Sequence, residues 1–408
     1  MKARYFFYPF LSLFSVAMFA SCSLSVPKEG DIIEDSAFRS VDLRIIEKTR
    51  GTVMSLGDLM ESYEIIRLDN RDEALIKTYP YGVYVTDNYI LLRPADVVSP
   101  VKLFTRKGRY VADIGGVGQG PGEYLYLFSW LVDEKENRIY LGPGRTDKVL
   151  VYDLKGNYLP DEVIRFGEIV HKSQIWVDYD KKNVVVVTLP FSANVNSNFA
   201  INKNVCWVQN RDGDIVHRIP VNHYGLIGDY SNALVARRNV DAISFSISEV
   251  PMLRTRPDTL YHYDAVKNII TPCFTIDHVV SENQSVCTVL YETSRSYWAQ
   301  VTLYPNNLSS SVSSVRLPAF NVCVSKKDGN VRRIDRFTDP LLGLSHLFLM
   351  MNNGYICISY DPLELMDALD KVLTQTDLEP DVRKRATDLR NSLHENDNDI
   401  LIIGKLKQ

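Results

Sequence analysis

Residues 103–124 read LFTRKGRYVADIGGVGQGPGEY, and this stretch decides the fold. An apolar run beginning at Leu103 is followed by a polar turn at Lys107 and Gly108, a second run ending at Ile114, and a glycine-rich corner. Short runs rich in β-branched and aromatic residues, separated by such turns, are typical of antiparallel sheets. The stretch therefore predicts two strands joined by a hairpin turn and followed by a corner.

The same order of strand, turn and strand recurs along the chain. Its turn glycines, Gly108, Gly156, Gly213 and Gly329, lie 48, 57 and 116 residues apart, and the last gap contains one further copy near residue 267. A repeat of about 55 residues with four strands predicts a blade of a β-propeller, and residues 41–360 hold about six such units. We therefore expect an all-β, six-bladed β-propeller, with five or seven blades as alternatives. A two-sheet sandwich would explain the strands but not their recurrence.

Residues near both chain ends interrupt or complete this pattern. Residues 41–46 and 63–68 are predicted to be strands, with a turn or short helical cap at residues 55–58. A helical hairpin is expected at about residues 361–396, inserted in or near the last blade, because Asp361-Pro362 forms a good helix start and apolar residues then recur at helical spacing. A closing strand is expected at about residues 399–406, pairing with a strand from the other chain end so that no sheet edge is left open.

The first 21 residues are predicted to be a lipoprotein signal peptide. Lys2 and Arg4 precede an apolar run at residues 5–20, which is short for a membrane-spanning helix and typical of a signal sequence. The run ends in Phe19-Ala20-Ser21-Cys22, a pattern typical of a bacterial lipobox. We expect lipid on Cys22 to attach the protein to the membrane, residues 22–40 to form a tether, and residues 41–408 to form the propeller domain. A cleaved secretory signal with an incidental cysteine is the alternative.

Charge and cysteine content limit the classes of partner and cofactor. The formal net charge is −4, and it becomes −6 without the first 21 residues, so nucleic acid is not expected as a partner. The five cysteines after Cys22 show no CxxC spacing, which leaves no indication of a zinc or redox site. Cys273 and Cys287 are the one pair that a chain turn would bring together, and their disulfide state stays open. No metal or other cofactor is expected.

The glycine-rich corner is the first candidate for a site. Its residues of interest are Gly115, Gly118, Gly120, Pro121, Gly122, Glu123 and Tyr124. A phosphate-binding loop is not supported, because the GK[ST] signature is absent and the next segment reads as a strand rather than a helix. A structural corner is the better interpretation, with glycines adopting positive φ and with Glu123 and Tyr124 contacting the neighbouring blade.

The motif F-x-x-x-G-x-Y-x-x-x-I-G-x-x-G-x-G-P-G-E-Y, which runs from Phe104 to Tyr124, resembles the hallmark of NHL-like six-bladed β-propeller lipoproteins of the bacterial envelope. The lipobox, the polar segment after it and the C-terminal segment from Glu395 are similar as well. This sequence departs from the pattern in its later blades, at residues 194–204 and 235–247. The resemblance implies six blades and exposure at the outer membrane or cell surface. It implies no established reaction, so no catalytic residue is carried over.

Three functions remain open on the sequence. The favoured one is an envelope-anchored scaffold that binds a glycan, a peptide or a protein. A lyase or hydrolase with its site in the central channel is the second, although GxSxG and HExxH are absent and the seven histidines are scattered. A structural subunit of an envelope complex, docking through the helical hairpin, is the third. The lining of the channel discriminates between them, because converging His, Tyr, Arg and carboxylate groups would favour an enzyme.

Overall fold

The structure is a computed structural model of the chain. It describes residues 28–29, 38–77, 79–96, 98–178, 182–194, 202–222, 225–228, 233–248, 258–278, 284–305 and 318–408. The predicted signal peptide and Cys22 lie outside these residues. Within the described part of the chain, no helix has the length and hydropathy needed to cross a membrane.

The N-terminal segment contains four short strands and two short helices before the repeating part of the chain. They are β1 (Lys28–Glu29), β2 (Arg39–Asp42), α1 (Leu43–Lys48), β3 (Thr52–Ser55), α2 (Leu56–Leu59) and β4 (Glu64–Arg67).

The predicted six-bladed β-propeller is confirmed, and each blade is an antiparallel sheet with its first strand nearest the ring axis. Blade 1 contains β5 (Pro80–Val85), β6 (Tyr89–Pro94), β7 (Val101–Thr105) and β8 (Tyr110–Ile114). The short parallel pair β9 (Gly116–Val117) and β10 (Glu123–Tyr124) follows it. Blade 2 contains β11 (Leu127–Asp133), β12 (Arg138–Pro143), β13 (Arg145–Tyr152) and β14 (Ile164–His171).

The next two blades follow in chain order. Blade 3 contains β15 (Ser173–Asp178), β16 (Asn183–Thr188), β18 (Asn204–Gln209) and β19 (Ile215–Pro220), and the parallel pair beside it is β17 (Phe191–Asn194) with β20 (Leu226–Gly228). Blade 4 contains β21 (Ala233–Ala236), β22 (Ile243–Ser248), β23 (Thr259–Asp264) and β24 (Ile269–Asp277).

The last two blades complete the ring. Blade 5 contains β25 (Gln284–Glu292), β26 (Ser296–Pro305), β27 (Ala319–Ser325), β28 (Val331–Thr338) and the short β29 (Ser345–His346). Blade 6 contains β30 (Met350–Asn352), β31 (Tyr355–Tyr360) and β32 (Ile400–Lys405), with the helices α3 (Pro362–Leu373) and α4 (Pro380–Asn391) between β31 and β32. The hairpin is therefore inserted in the last blade, as the helix signals predicted.

The two chain ends close the ring in blade 6. Strand β4 pairs antiparallel with β32, so that Ile400 lies opposite Arg67 and Ile403 opposite Glu64. The closing strand and its partner from the other chain end were both predicted from the sequence. Because β4 forms the fourth strand of blade 6, it covers the outer edge of β32.

Strands β1 to β4, which we call the N-terminal belt, lie along the outer edges of successive blades. Strand β1 pairs parallel with β19 of blade 3, β2 with β24 of blade 4 and β3 with β28 of blade 5, before β4 joins blade 6. Among the described residues, pairing therefore includes Lys28 and Glu29, which lie in the segment 22–40 that was expected to be a tether. The expected strand at residues 41–46 is also wrong in part, because Asp42 accepts a hydrogen bond from the Arg44 amide and caps a helix, α1, at this point.

The core consists of separate apolar layers between neighbouring blades, and β16 shows why its sequence is continuously hydrophobic. Val184 and Val186 pack in the layer shared with blade 2, whereas Val185 and Val187 pack in the layer shared with blade 4. Successive side chains of a strand point to opposite faces of the sheet, so a strand between two blades needs apolar residues on both faces. This double burial produces the strong strand signals that made the repeat visible.

Candidate functional site

Three adjoining cavities lie along the inner strands of the ring. The largest, which we call the acidic mouth, has a volume of about 820 Å³ and lies at the end of the ring where the first strand of each blade turns into the second. A smaller cavity of about 60 Å³, the neck, shares lining residues with it. Beyond the neck lies a cavity of about 270 Å³, the inner chamber. A cavity at the axis of a ring of blades is a usual place for a ligand site.

Carboxylates outnumber cations in the acidic mouth. The acidic side chains on its lining are those of Asp87, Asp133, Glu134, Glu136, Asp178 and Asp241. The cationic ones are those of Lys135, Arg238 and Lys405. Three aromatic residues, Tyr84, Trp176 and Tyr355, complete the functional part of the wall. The mouth therefore combines a negative field with apolar ring faces.

The position of these acids follows from the blade architecture. Asp87 lies in the turn between β5 and β6, Glu134 in the turn between β11 and β12, and Asp178 at the end of β15. Asp and Asn favour such turns because their short side chains hydrogen-bond to nearby backbone groups. Closing the ring brings the turns of different blades to one end, so that ordinary turn residues form a shared carboxylate surface.

Hydrogen bonds between blades fix part of the rim. Glu134 of blade 2 accepts hydrogen bonds from the backbone amide of Asn88 at 2.9 Å and from its side-chain amide at 2.6 Å, which joins it to blade 1. Tyr355 of blade 6 donates a hydrogen bond to Asp87, and the Nζ of Lys405 lies 3.9 Å from the same carboxylate. Burial, followed by the bond to Asp87, raises the pKa of Tyr355.

Tyr84, Arg238 and Asp133 meet where the acidic mouth narrows to the neck. The guanidinium of Arg238 hydrogen-bonds to the Tyr84 phenol, and the Asp133 carboxylate acts on the same phenol through space. Burial raises the pKa of Tyr84 to about 12, against the opposing effect of Arg238. The phenol is thus protonated at neutral pH and is a donor or acceptor rather than a base.

The segment after β21 places Arg238 in this position. Its amide donates to Oδ1 of Asn352 at 3.4 Å, and Asn239 accepts from the Gly354 amide at 3.1 Å and donates to the carbonyl of Met351. This segment of blade 4 is therefore bound to the inner strand and first turn of blade 6. Arg238 reaches the neck because its backbone is held from that side.

The channel lining bears on the choice between an enzyme and a binding protein. A tyrosine, an arginine and a carboxylate converge at the neck, but the described residues that line the three cavities include no histidine. In the part of the chain that the structure covers, no group of three His, Cys, Asp or Glu side chains has the arrangement of a metal site. The described lining of the three cavities is charged and aromatic.

The structure places the glycine-rich corner between blades 1 and 2, away from the channel. Gly115 and Gly122 have φ values of +67° and +75°, and a Cβ atom added at Gly122 would lie 2.8 Å from the Tyr158 ring of blade 2. The carbonyl of Gly122 accepts a hydrogen bond from the Tyr152 hydroxyl of blade 2. Glycine is needed here for its backbone conformation and for close approach.

Glu123 and Tyr124 form their hydrogen bonds on the near side of this corner. Glu123 accepts from the Gly120 amide at 2.7 Å, within the loop that contains Gly118 and Pro121. The Tyr124 hydroxyl accepts from the Val101 amide at 3.0 Å and donates to the Ile114 carbonyl at 3.3 Å, both in blade 1. The hydrogen bond from Tyr152 of blade 2 is accepted by the backbone at Gly122, and the Tyr124 ring packs in the apolar layer that contains Leu150 and Tyr152 of blade 2.

The structure leaves the predicted lipidation site untested, because Cys22 lies outside the described residues. Four of the five other cysteines are buried free thiols, namely Cys206, Cys273, Cys323 and Cys357, and Cys287 is partly buried. Cys273 lies on β24 next to His262, whereas Cys287 lies on β25 of the next blade.

Sequence reasoning identified none of the residues of the acidic mouth. Each one alone reads as a turn residue, and the group forms only when the ring closes. One signal was available, since acidic residues follow predicted inner strands in more than one repeat, at Asp87 and again at Asp133 and Glu134.

Comparison with solved structures finds similar chains from several bacteria. An exported protein of Bacteroides fragilis NCTC 9343 has a TM-score of 0.58 at 16% identity, with 90% of this chain and 99% of that chain covered, and it shows the same fold. A member of the DUF4221 family from Bacteroides vulgatus has a TM-score of 0.46 at 10% identity, covering 86% of this chain and 97% of that chain.

A periplasmic gluconolactonase of Pseudomonas aeruginosa has a TM-score of 0.35 at 10% identity, covering 68% of this chain and 80% of that chain. No curated protein matches the sequence at a significant level. Residues 41–405 match the model of a single family, described as a domain of unknown function, DUF4934. This match takes in all but the first 40 and the last three residues, and the chain therefore belongs to the DUF4934 family.

Proposed function

We propose that the protein is an exported, lipid-anchored binding protein whose acidic mouth holds a segment of a partner peptide or protein rich in Lys and Arg. The observation that carries this proposal is the excess of six carboxylates over three cations on one 820 Å³ cavity. Lys and Arg side chains match such a surface in charge, and their aliphatic stems pack on aromatic rings such as those of Trp176 and Tyr355.

A binding role accounts better for the neck than a lyase or hydrolase role does. The Tyr84 phenol has a pKa of about 12, far above neutral pH, so its capacity to remove a proton is small. Arg238 donates to this phenol and already has a partner. These residues are suited to recognising a polar group at the narrow end of the mouth.

Binding of a cationic peptide is tested with a fluorescent peptide of alternating Lys and Gly, by fluorescence anisotropy. The double substitution Asp133→Asn with Glu136→Gln removes two carboxylates, and each charge contact near the surface is worth about 0.2–1 kcal/mol. We expect the dissociation constant to rise about two- to thirtyfold, and binding to weaken between 50 and 300 mM salt.

The matched control is the pair Asp212→Asn and Asp377→Asn, which removes two exposed carboxylates that do not line the mouth. It should change the dissociation constant less than twofold. Equal weakening by both pairs would show only a general effect of net charge, and the proposed role of the mouth would then be wrong.

The anchor is a further part of the proposal. Since Lys28 pairs with β19, lipid on Cys22 would be six residues from the outer edge of blade 3, a reach of at most about 20 Å. Blade 3 would then face the membrane. Cys22→Ser should move the protein from the membrane to the soluble fraction, and an unchanged membrane fraction would refute the anchor without affecting the proposed ligand.

A further inference from the structure

The inner chamber differs from the acidic mouth in its charge. Its described lining comes from the inner strands of blades 1, 2, 3, 4 and 6 and the segment after β21, and consists of Tyr81, Gly82, Val83, Phe128, Ser129, Trp130, Gln174, Leu234, Val235, Ala236, Arg237, Met350 and Asn352. Arg237 is the one charged residue among them. The two cavities therefore have opposite polarity although only the neck separates them.

Arg237 has donor capacity that the described part of the protein does not use. Its Nη1 donates to the Met351 carbonyl at 3.1 Å, and its guanidinium carbon lies 5.5 Å from the centroid of the Tyr291 ring. Its Nε is buried and has no hydrogen-bond partner among the described residues. A buried cationic group with an unpartnered donor is costly, and a negative charge in the chamber that Arg237 lines would offset this cost.

A second arginine lies behind the aromatic wall of the same chamber. Arg93 is 7% exposed, and its guanidinium carbon lies 4.3 Å from the Tyr81 centroid and 5.3 Å from the Trp130 centroid. Its Nη1 is also buried without a partner in the described structure. Asp96 acts on Arg93 through space. The partly buried Arg237 and the buried Arg93 are thus two cations at the chamber.

The chamber wall is aromatic where it opens to solvent. Tyr81 is 55% exposed and meets Trp130 edge to face, with the ring centroids 6.1 Å apart. Gly82 leaves room for this indole, because a Cβ atom there would lie 2.2 Å from its Cζ2. Tyr81 begins the strand that ends near Asp87, so the chamber opens on the face opposite the acidic mouth.

We propose that the inner chamber binds a small carboxylate that carries a ring. The carboxylate pairs with the guanidinium of Arg237, and the ring packs on Trp130 and Tyr81. An arginine edge matches the two oxygens of a carboxylate, and an aromatic wall matches a ring face. A volume of about 270 Å³ corresponds to about nine waters, enough for one six-membered ring with its substituents.

The ring is either that of a sugar acid or that of an aromatic acid, and the experiment separates the two. Isothermal titration calorimetry on the purified protein, at constant ionic strength, compares glucuronate, benzoate and neutral glucose. Saturable binding of glucuronate alone identifies a sugar acid, and binding of benzoate alone identifies an aromatic acid. Glucose should bind at least tenfold more weakly than the acid that binds.

Arg237→Gln should weaken that acid at least tenfold. Arg238→Gln is the matched control, because it removes the adjacent arginine, which lines the mouth and neck, and it should leave the affinity within twofold. Arg237→Lys keeps the charge without the Nε edge and gives an intermediate affinity, which serves as the test if the glutamine variant does not fold. Retention of full affinity by both Arg237 variants would overturn the proposal.

Failure of both acids to bind the unmodified protein with saturation would overturn the proposal as well. The proposal does not rest on the function proposed for the acidic mouth. Arg237→Gln should leave binding of the cationic peptide unchanged, and Asp133→Asn with Glu136→Gln should not weaken the acid. The two proposals therefore fail separately.

Discussion

Replacing Glu292 with glutamine is expected to destabilise the contact between blades 4 and 5. Glu292 ends β25, and its side chain is 0% exposed. One carboxylate oxygen accepts from Nε2 of His262 on blade 4 at 2.6 Å, and the other from Nζ of Lys326 in the β27–β28 turn at 2.5 Å. This one buried carboxylate therefore joins cations from two blades.

The loss of stability in Glu292→Gln can be estimated in two ways. Removing one partner of a buried ion pair costs about 3–5 kcal/mol. Burial by itself would lower the pKa of His262, but hydrogen bonds with Cys273 and Glu292 raise it from 6.5 to about 9, which corresponds to about 3 kcal/mol. Because Cys273 shares this effect and His262 is about one third exposed, we expect Glu292→Gln to cost about 2–4 kcal/mol.

The pH dependence provides the sharper test. The pKa of His262 is higher in the folded protein than in the unfolded chain, so its stabilisation is complete below pH 6.5 and is lost as the pH rises through about 9. The partners of Glu292 lower its pKa in spite of burial, so its stabilisation is present above pH 4.5 and is lost at lower pH. The full effect is therefore expected between about pH 4.5 and 6.5.

Urea unfolding at 25 °C, at pH 6 and at pH 9.5, measures the difference. The deficit of Glu292→Gln should be about 2–4 kcal/mol at pH 6 and should narrow by about 2 kcal/mol at pH 9.5, where His262 is neutral in both proteins. Glu168→Gln is the control, since its pair with Lys203 is exposed and should cost less than about 1 kcal/mol. A deficit below about 0.5 kcal/mol at pH 6, or one that does not change with pH, would refute this reasoning.

Two matched pairs of substitutions test local features by urea unfolding. Gly122→Ala should lower the free energy of unfolding by about 2–4 kcal/mol, because the added Cβ meets Tyr158. Gly329→Ala has a similar positive φ but no atom within 4 Å of the added Cβ, and it should lower the free energy by only about 1 kcal/mol. Equal losses would show that φ alone determines the cost. Asp361→Ala should lower the free energy of unfolding by about 1 kcal/mol, because the Asp361 side chain accepts hydrogen bonds that cap α3. Glu379→Ala should have little effect, because the Glu379 side chain forms no capping hydrogen bond at α4. The reverse order of effects would contradict the assignment of the caps.

The blades could be predicted because each middle strand is buried on both faces. In β6 the side chains of Ile90 and Leu92 face blade 6 and that of Leu91 faces blade 2, which requires an unbroken apolar run. The inner strands show a weaker hydrophobic pattern in the sequence, because one edge of each strand faces the channel. Strand β30 has three residues, Met350–Asn352, and the sequence gives little to distinguish it from a loop.

The N-terminal belt could not be predicted for a different reason. Strands β1, β2 and β3 have two to four residues and pair parallel with strands that lie between 189 and 283 residues away in sequence. Such pairings use backbone groups, so few side-chain positions are constrained. Residues 43–46 show the related difficulty, because an apolar LRII run is compatible with a strand until the cap at Asp42 is considered.

The strongest sequence signal and the candidate sites lie in different places for a physical reason. Between blades 1 and 2, Gly115 and Gly122 need positive φ and contact the next blade closely, so few residue types are compatible with them. A turn at the channel end has no such requirement, and Asp87 or Asp133 is one of several polar residues that would serve there. The fold can therefore be predicted from motifs that are recognised one at a time. The charge of the channel depends on single residues from different blades, which come together only when the ring closes.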